Sequence, residues 1–311
     1  MEKIVVIYGG KSFEHDISIK SFNSFYKNID LRNKELTTIY IDKNGEWWSS
    51  DEKVNNIIEY LKAFDVVVPL IHGNTGEDGK LQGLLEMAGV KYVGCNLISS
   101  AISMDKAFCK MLVDNIGIKQ VPYIVVNKKT KVKDILKKLN FPMIVKPSNG
   151  GSSIGISVVN GKIELIKALK HAFNYDKKVV IEKYIKAREL EIGVLENNGL
   201  VCSCIGEIKS NGFYDFDSKY VKDTEVVVDA HVPNNIKKEI KESARKIFSF
   251  LECRGFARVD FLYDEDNKEL FFNEINTIPG FTEISMFPKL FIHDGYSYSK
   301  LIDILIKSAK N

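Results

Sequence analysis

The chain has 311 residues, 45% of them hydrophobic, enough for two or three domains with cores of their own. Its 44 basic and 41 acidic residues leave a net charge of +3, which lacks the strongly basic footprint of a nucleic-acid-binding surface. The five cysteines form no C-x-x-C pair and point to neither a disulfide framework nor a zinc site, and no apolar run approaches the ~18 residues of a membrane span.

The chain opens with "KIVVIYGG", a buried strand ending in a glycine turn. Its apolar run, Ile4 to Tyr8, is too short for a signal-peptide core, so a soluble cytoplasmic protein without a membrane partner is expected. "ELTTIYID" predicts a second strand, "NGEW" a turn and "AFDVVVPLIHG" a third strand with its loop. "GKLQGLLEMAG" predicts a helix stopping at Gly89, and "VKYVG" a short strand. Strand alternating with helix predicts a parallel α/β unit over residues 1–98.

"SMDKAFCKMLVDNIG" predicts one helix ending at Gly117. The strand "VPYIVV", a lysine-rich helix "KVKDILKKLN" and the strand–loop–strand "FPMIVKPSNGGSSIGISVV" follow. The helix "KIELIKALKHAFNY" and the strand "KVVIEKYI" complete an α+β unit over 99–181. From 182 to 311 the pattern predicts mostly strands, with a helix from "PNNIKKEIKESARKIFSFLEC", the hairpin "FARVDFLYD"/"KELFFNEIN" and a closing helix. The lysine-rich helices read as solvated faces.

Three stretches carry chemistry. In the hairpin, Arg258 and Asp260 share one face of a strand, and Glu274 and Asn276 share one face of the next. A turn centred on Asp266 places Arg258 opposite Glu274 and Asp260 diagonal to it, ~7–8 Å away at the α-carbons. Three oxygen donors collected in this way suit a hard cation such as Mg²⁺; the alternative is a solvated sheet face. In "KPSNGGSSIGI", Gly150, Gly151 and Gly155 alternate with Ser152 and Ser153 after Lys146. Glycines let backbone N–H groups close on phosphate oxygens, while hydroxyls and an ammonium add donors; the alternative is an ordinary hairpin loop. It is neither a Walker A nor a dinucleotide fingerprint, and "GGKS" at Gly9–Ser12 fails as Walker A because Val5 stands where its first glycine belongs. In "EKYIKARELEIG", a strand end with Glu182 and Lys183, and Glu189 further on, could hold an adenosine, although the stretch taken alone reads first as a charged edge. Finally, Glu14, and His72 with Glu77, lie in loops at the carboxyl ends of strands, where α/β proteins bind ligands.

Taken in order, "GGKSFEHDIS", "HGNTGEDGKLQGLLE", "MDKAFCK", "IVKPSNGGSSIG", "EKYIKARELEIGV", "YDFDSKY", "GFARVDF" and "NEINTIPGFTEISMFP" resemble the D-alanine:D-alanine ligases of the ATP-grasp superfamily along essentially the whole chain. The resemblance implies an α/β fold of three domains with ATP between the second and third. It implies that Lys106 and Lys146 contact phosphates, that "GGSSIG" with Ser152 and Ser153 closes over them, that Glu182, Lys183 and Ile185 hold the adenine, and that Glu189 holds the ribose. Asp260, Glu274 and Asn276 would ligate two Mg²⁺, with Mn²⁺ able to substitute. Glu14, with His72 nearby, would receive the ammonium of a first D-alanine, Ser285 the carboxylate of the second amino acid, and Arg258 with the Gly280 backbone the oxyanion. Lys219 would neutralise the transferring phosphate, and Ser152, Tyr220 and Glu14 would form one hydrogen-bonded set. A homodimer is implied in the same way. "SNGG" departs from relatives that carry a charged residue there, and "GFYDFDSKY" is also similar to relatives that join D-alanine to D-serine, so D-serine stays open as second substrate. An ATP-grasp ligase for unrelated substrates and a non-catalytic nucleotide-binding module are the further alternatives.

Overall fold

The computed structural model describes residues 1–209 and 225–310. The first sheet is built on β1 (Glu2–Gly9), with β2 (Lys34–Ile41) and β5 (Val66–Pro69) parallel to it on either side. The short β3 (Trp47–Ser49) and β4 (Glu52–Lys53) extend the edge antiparallel, in the order β4-β3-β2-β1-β5. Both faces of β1 are apolar, so both need cover. Val5 and Ile7 pack with Leu81 and Leu85 of α3 (Lys80–Ala88) and Leu61 of α2 (Ile57–Leu61). Ile4 and Val6 face Phe25 of α1 (His15–Asn28) and the two last helices, α9 (Met286–His293) and α10 (Tyr298–Ser308). The chain therefore returns at its end to close the sheet with which it began.

The second sheet is antiparallel, in the order β6 (Tyr123–Val126), β9 (Val179–Lys183), β7 (Met143–Pro147), β8 (Ser157–Val159). Leu165, Ala168 and Leu169 of α7 (Lys162–Ala172) and Ile135 of α6 (Val132–Ile135) fill its core. The third sheet, also antiparallel, runs β12 (Glu225–Val227), β11 (Leu200–Lys209), β10 (Arg188–Glu196), β13 (Phe256–Asp264), β14 (Glu269–Asn276). One face packs on Ile236, Ile240, Ala244 and Ile247 of α8 (Asn234–Phe250), each buried side chain contributing ~1.5–3 kcal/mol except the smaller alanine. α5 (Lys106–Asn115) joins this third core through Cys109 and Val113, and α4 (Leu97–Met104) packs the half-buried Ile102 against it. The other face of the sheet receives α9. A side-chain carbon at Gly193 would stand 2.5 Å from Phe291, so only glycine lets the helix approach this closely.

Several expected elements differ. The single helix over Ser103–Gly117 is two, because Asp105 leaves helical geometry and caps α5, accepting from the N–H of Phe108 at 3.2 Å. The expected helix "KVKDILKKLN" shrinks to the single turn of α6. The expected strand "VKYVG" is one isolated bridge, Val67 to Tyr92. α1 was not singled out from the sequence, since its buried set, His15, Ser18, Ser21 and Phe25, is mostly polar and hides the helical period.

The hairpin register also needs correction. Arg258 pairs with Asn276 and Asp260 pairs with Glu274, while beyond the irregularity Phe261 pairs with Phe272. Asn273 is an extra residue on β14, a β-bulge. On β13, Ala257, Val259, Phe261 and Tyr263 face the core, and on β14 the core set is Leu270, Phe272 and then Ile275. The bulge thus turns Glu274 and Asn276 onto the same face as Arg258 and Asp260.

Candidate active site

Four segments from the three sheets meet over that face. The first is the loop after β1, where Gly9 donates its N–H to Ser18 Oγ at 2.7 Å and Gly10 donates to Ile41 O at 2.7 Å. Both glycines have positive φ, and a side chain at Gly9 would collide with the Ile41 carbonyl. The fold of this loop sets Glu14 at the start of α1.

The second segment is the loop after β5. His72 is buried, with Nδ1 3.0 Å from Ile278 O and Nε2 2.8 Å from Ser21 Oγ. The carbonyl can only accept, so Nδ1 carries the proton and Nε2 accepts from the serine. Burial lowers the His72 pKa against the pull of the Glu14 charge and the Ile278 carbonyl, in keeping with this neutral ring. Glu77 accepts from the N–H groups of Gly73 at 2.7 Å and Ile278 at 3.0 Å. Burial first, and then the Glu14 charge, push its carboxyl up to about 8. These bonds tie the loop to the third segment, the turn after β14. There Thr282 N–H donates to Ser285 Oγ at 3.1 Å, and Gly280 approaches Ser285 so closely that a side-chain carbon would lie 2.8 Å from its hydroxyl.

The fourth segment is the glycine-rich loop between β7 and β8. Ser152 and Ser153 both adopt left-handed backbone, at φ 52° and 58°, a conformation that costs a non-glycine residue roughly 1–2 kcal/mol each. Ser152 Oγ donates to Glu14 Oε1 at 2.6 Å. Lys106 Nζ donates to Gly150 O at 2.6 Å, and Lys106 N–H donates to Ser148 O at 2.8 Å. Asn149, the departing residue of "SNGG", donates through its side chain to Asp105 at 3.2 Å and Asp176 at 2.9 Å, which pins the root of the loop.

On the exposed side of the bulged hairpin, Arg258 clamps Asp260 with two bonds of 2.8 Å, and Asn276 Nδ2 donates to Asp260 at 2.9 Å. Arg258 Nε also lies 3.2 Å from Glu191 Oε2 on β10. Burial opposes the Arg258 charge, but Asp260 and Glu191 outweigh it and raise its pKa. Across the cleft, Lys146 Nζ lies 2.6 Å from Glu182 Oε2, and Lys110 Nζ lies 2.8 Å from Glu182 Oε1. Burial would raise the Glu182 carboxyl, yet the two ammonium groups hold it at about 2.

One cavity of about 950 Å³ joins these groups. Glu14, His72, Lys106, Lys146, Ser152, Ser153, Glu182, Lys183, Ile185, Glu189, Arg258, Asp260, Glu274, Asn276, Gly280 and Ser285 all line it. Lys219 and Tyr220 lie outside the described residues. Sequence reasoning missed Glu191 and Asn273, which also line the cavity, and gave Glu77 no role. Glu191 was findable, since period two from Glu189 places both on one face of β10. The Glu182 side chain faces two lysines, Lys110 and Lys146.

Among the described residues no helix is long and apolar enough to cross a membrane.

Family models described as D-ala D-ala ligase N-terminus and C-terminus match residues 3–60 and 53–95, and residues 112–307. The chain is 41% identical to "D-alanine--D-alanine ligase B" of Clostridium tetani, over 99% of this chain and 94% of that one. It is 41% identical to the D-alanine--D-alanine ligase of Caldicellulosiruptor bescii, with the same two coverages. Among solved structures, a D-Ala:D-Ser ligase from Enterococcus faecalis superimposes with a TM-score of 0.90 at 34% identity, covering 99% of both chains. A D-alanine--D-alanine ligase from Bacillus anthracis complexed with ATP gives 0.84 at 32% identity, covering 100% of this chain and 98% of that one. With both family models and full-length relatives in agreement, this chain belongs to the D-alanine--D-alanine ligase family.

Proposed function

We infer that the protein is an ATP-dependent ligase that joins two D-alanines into D-alanyl-D-alanine for peptidoglycan precursors. The observation that carries this reading is the shared cavity: Lys106 and Lys146, fit for phosphates, and Glu14 with His72, fit for an amino acid, line one space. A phosphorylated carboxylate formed there is already beside the second substrate. Work on precursors with ATP supports a cytoplasmic location.

The residues also fit a hard divalent cation. Glu191, Asp260 and Glu274 are three carboxylates around one guanidinium, Arg258, a formal net charge of −2 in a sheltered cleft. Asp260 and Glu274 stand opposite each other with Asn276 beside Asp260, a donor set of oxygens only. Asp260, Glu274 and Asn276 would hold Mg²⁺, which when bound neutralises and orients the phosphates.

The protein's own groups then divide the work. Glu14 pairs with the ammonium of the first D-alanine, leaving its carboxylate to attack the γ-phosphorus of ATP. The bond from phosphorus to the bridging oxygen breaks, giving an acyl phosphate and ADP, while Lys106 and Lys146 balance the negative charge. The second D-alanine, held at its carboxylate by Ser285, loses an ammonium proton and attacks the acyl carbon. Arg258 and the Gly280 N–H receive the oxyanion, and inorganic phosphate leaves as the amide forms. The Ser152–Glu14 bond fastens the glycine-rich loop over the reacting groups and excludes water.

The test is ADP and phosphate release with ATP, Mg²⁺ and a panel of D- and L-amino acids, with product identification. D-alanyl-D-alanine as the dominant product is expected; release without any dipeptide would overturn the reading. D-serine as second substrate is the second reading, favoured by the Enterococcus structure, and D-alanyl-D-serine formed in preference from equal D-alanine and D-serine would establish it.

A further inference from the structure

α5 carries Lys106 and Lys110 four residues apart, on one face of the helix. Lys106 reaches the glycine-rich loop and lines the cavity. Lys110 is buried behind the cavity wall at 2% exposure. Its ammonium lies 2.8 Å from Glu182 Oε1, 3.4 Å from Gln120 Oε1 and 5.1 Å from the centre of the Tyr123 ring. The other oxygen of Glu182 lies 2.6 Å from Lys146 Nζ at the cavity wall.

One buried carboxylate is thus shared by two cations, one behind it and one in front. A buried charge needs a partner, and losing one partner of a buried set is costly for the group left behind. A lone Lys146–Glu182 pair would be neutral and closed on itself, with the ammonium drawn onto the wall. With Lys110 present the three groups carry a net charge of +1, and Lys146 and Glu182 line the cavity while Lys110 stands behind them. Glu182 keeps its charge despite full burial, as two ammonium neighbours require.

We propose that Lys110 is a positioning residue for ATP, which by engaging the rear oxygen of Glu182 leaves the Lys146 ammonium available to the nucleotide's phosphates. This rests on the ATP-dependent reading above and adds to it a residue that touches no substrate. It follows that Lys110 acts more strongly on the phosphate end of the nucleotide than on the adenine end.

The experiment measures equilibrium binding of ATP and of adenosine to the full-length protein, without D-alanine, for the parent, Lys110→Met, Lys110→Arg and Lys110→Met with Glu182→Gln. The methionine variant should bind ATP about tenfold or more weakly, the worth of a charge-assisted bond, while adenosine binding falls by a smaller factor. Arginine should recover most of the loss. The double variant, which removes the anion along with its rear partner, should restore the ratio of ATP to adenosine affinity toward the parent value. Equal losses for ATP and adenosine, or an unchanged ATP affinity in Lys110→Met, would overturn the proposal. A double variant with no better ratio than the single one would do the same. A parent that binds no ATP would instead overturn the ligase reading. Thermal unfolding of each variant, with binding compared well below every midpoint, keeps lost folding from counting as lost binding.

Discussion

Ser152 Oγ donates to Glu14 Oε1 at 2.6 Å, across 138 positions of sequence, and joins the glycine-rich loop of the second sheet to the first loop of the first. Both residues line the cavity.

Ser152→Ala should lower kcat/KM for ligation by about tenfold to a hundredfold, since a hydrogen bond to a charged group is worth ~1.5–3 kcal/mol. Ser152→Gly is the useful companion, because glycine relieves the left-handed backbone at φ 52° while also lacking the hydroxyl. Similar losses in the two variants are expected. A glycine variant at parent activity would show that backbone strain, and not the hydroxyl, governs the loop.

Glu274→Gln should abolish turnover and leave the fold intact. Glu274 sits opposite Asp260 beside Arg258, and the change removes one negative charge from the set that suits a divalent cation. ADP formation near the parent rate at saturating Mg²⁺ would remove Glu274 from that role; unchanged circular dichroism is the control.

Lys146→Ala should weaken ATP binding by more than tenfold and D-alanine binding by less than threefold. The side chain carries a cation at the wall, 2.6 Å from Glu182 and far from the Glu14 loop in connectivity. Steady-state kinetics with each substrate varied in turn decide it, and a KM for ATP at the parent value would sink the assignment.

Glu77 predicts a pH signature. Burial, then the Glu14 charge, raise its pKa from 4.5 to about 8, so the folded protein holds this proton more tightly than the unfolded chain does. The stability it lends is complete below about pH 4.5, is lost as pH rises toward 8 and is constant beyond. Glu77→Gln pays a fixed cost for its altered bonds to Gly73 and Ile278, but the parent should lose ground to it by up to ~1.4 kcal/mol per pH unit over that window. Urea midpoints measured from pH 5 to 9 on both proteins provide the test. A constant difference across that range would show that Glu77 is ionised throughout.

Much of the site was legible because its residues sit where local patterns are strong. The pairs Arg258/Asp260 and Glu274/Asn276 follow from period two, and the loop Ser148–Gly155 from its glycines and the strand before it. Their alignment was not legible. An expected turn at Asp266 put Arg258 opposite Glu274; the ladder instead closes Asp264 on Glu269, which moves every partner by one, and the bulge at Asn273 moves those beyond it by one more. Lys110 escaped for another reason: a lysine on a helix reads as solvated, and nothing local tells that Glu182, 72 positions on, will be buried against it. The break at Asp105 is similar. Its side chain caps α5, but the bonds that fix it come from Ser148 at 2.6 Å and Lys178 at 2.5 Å, both distant in sequence.

The bulge at Asn273 makes strand length itself a functional quantity. A strand is a two-beat register, and one added beat changes which half of the remaining residues meets water. Up to Phe272 the even positions of β14 are packed inward; after Asn273 the even positions, Glu274 and Asn276, look into the cleft. Removing Asn273 would only straighten the ladder, leaving Glu274 and Asn276 in the cleft and Ile275 inward, whereas one more residue beside it would drive both polar side chains into the core and lift Ile275 out of it. The carboxylate would then face Ile236 and Ile240 in place of Arg258. Loss and gain of a residue should therefore part company at this one position, and single-residue deletions and insertions across residues 269–276 would locate it.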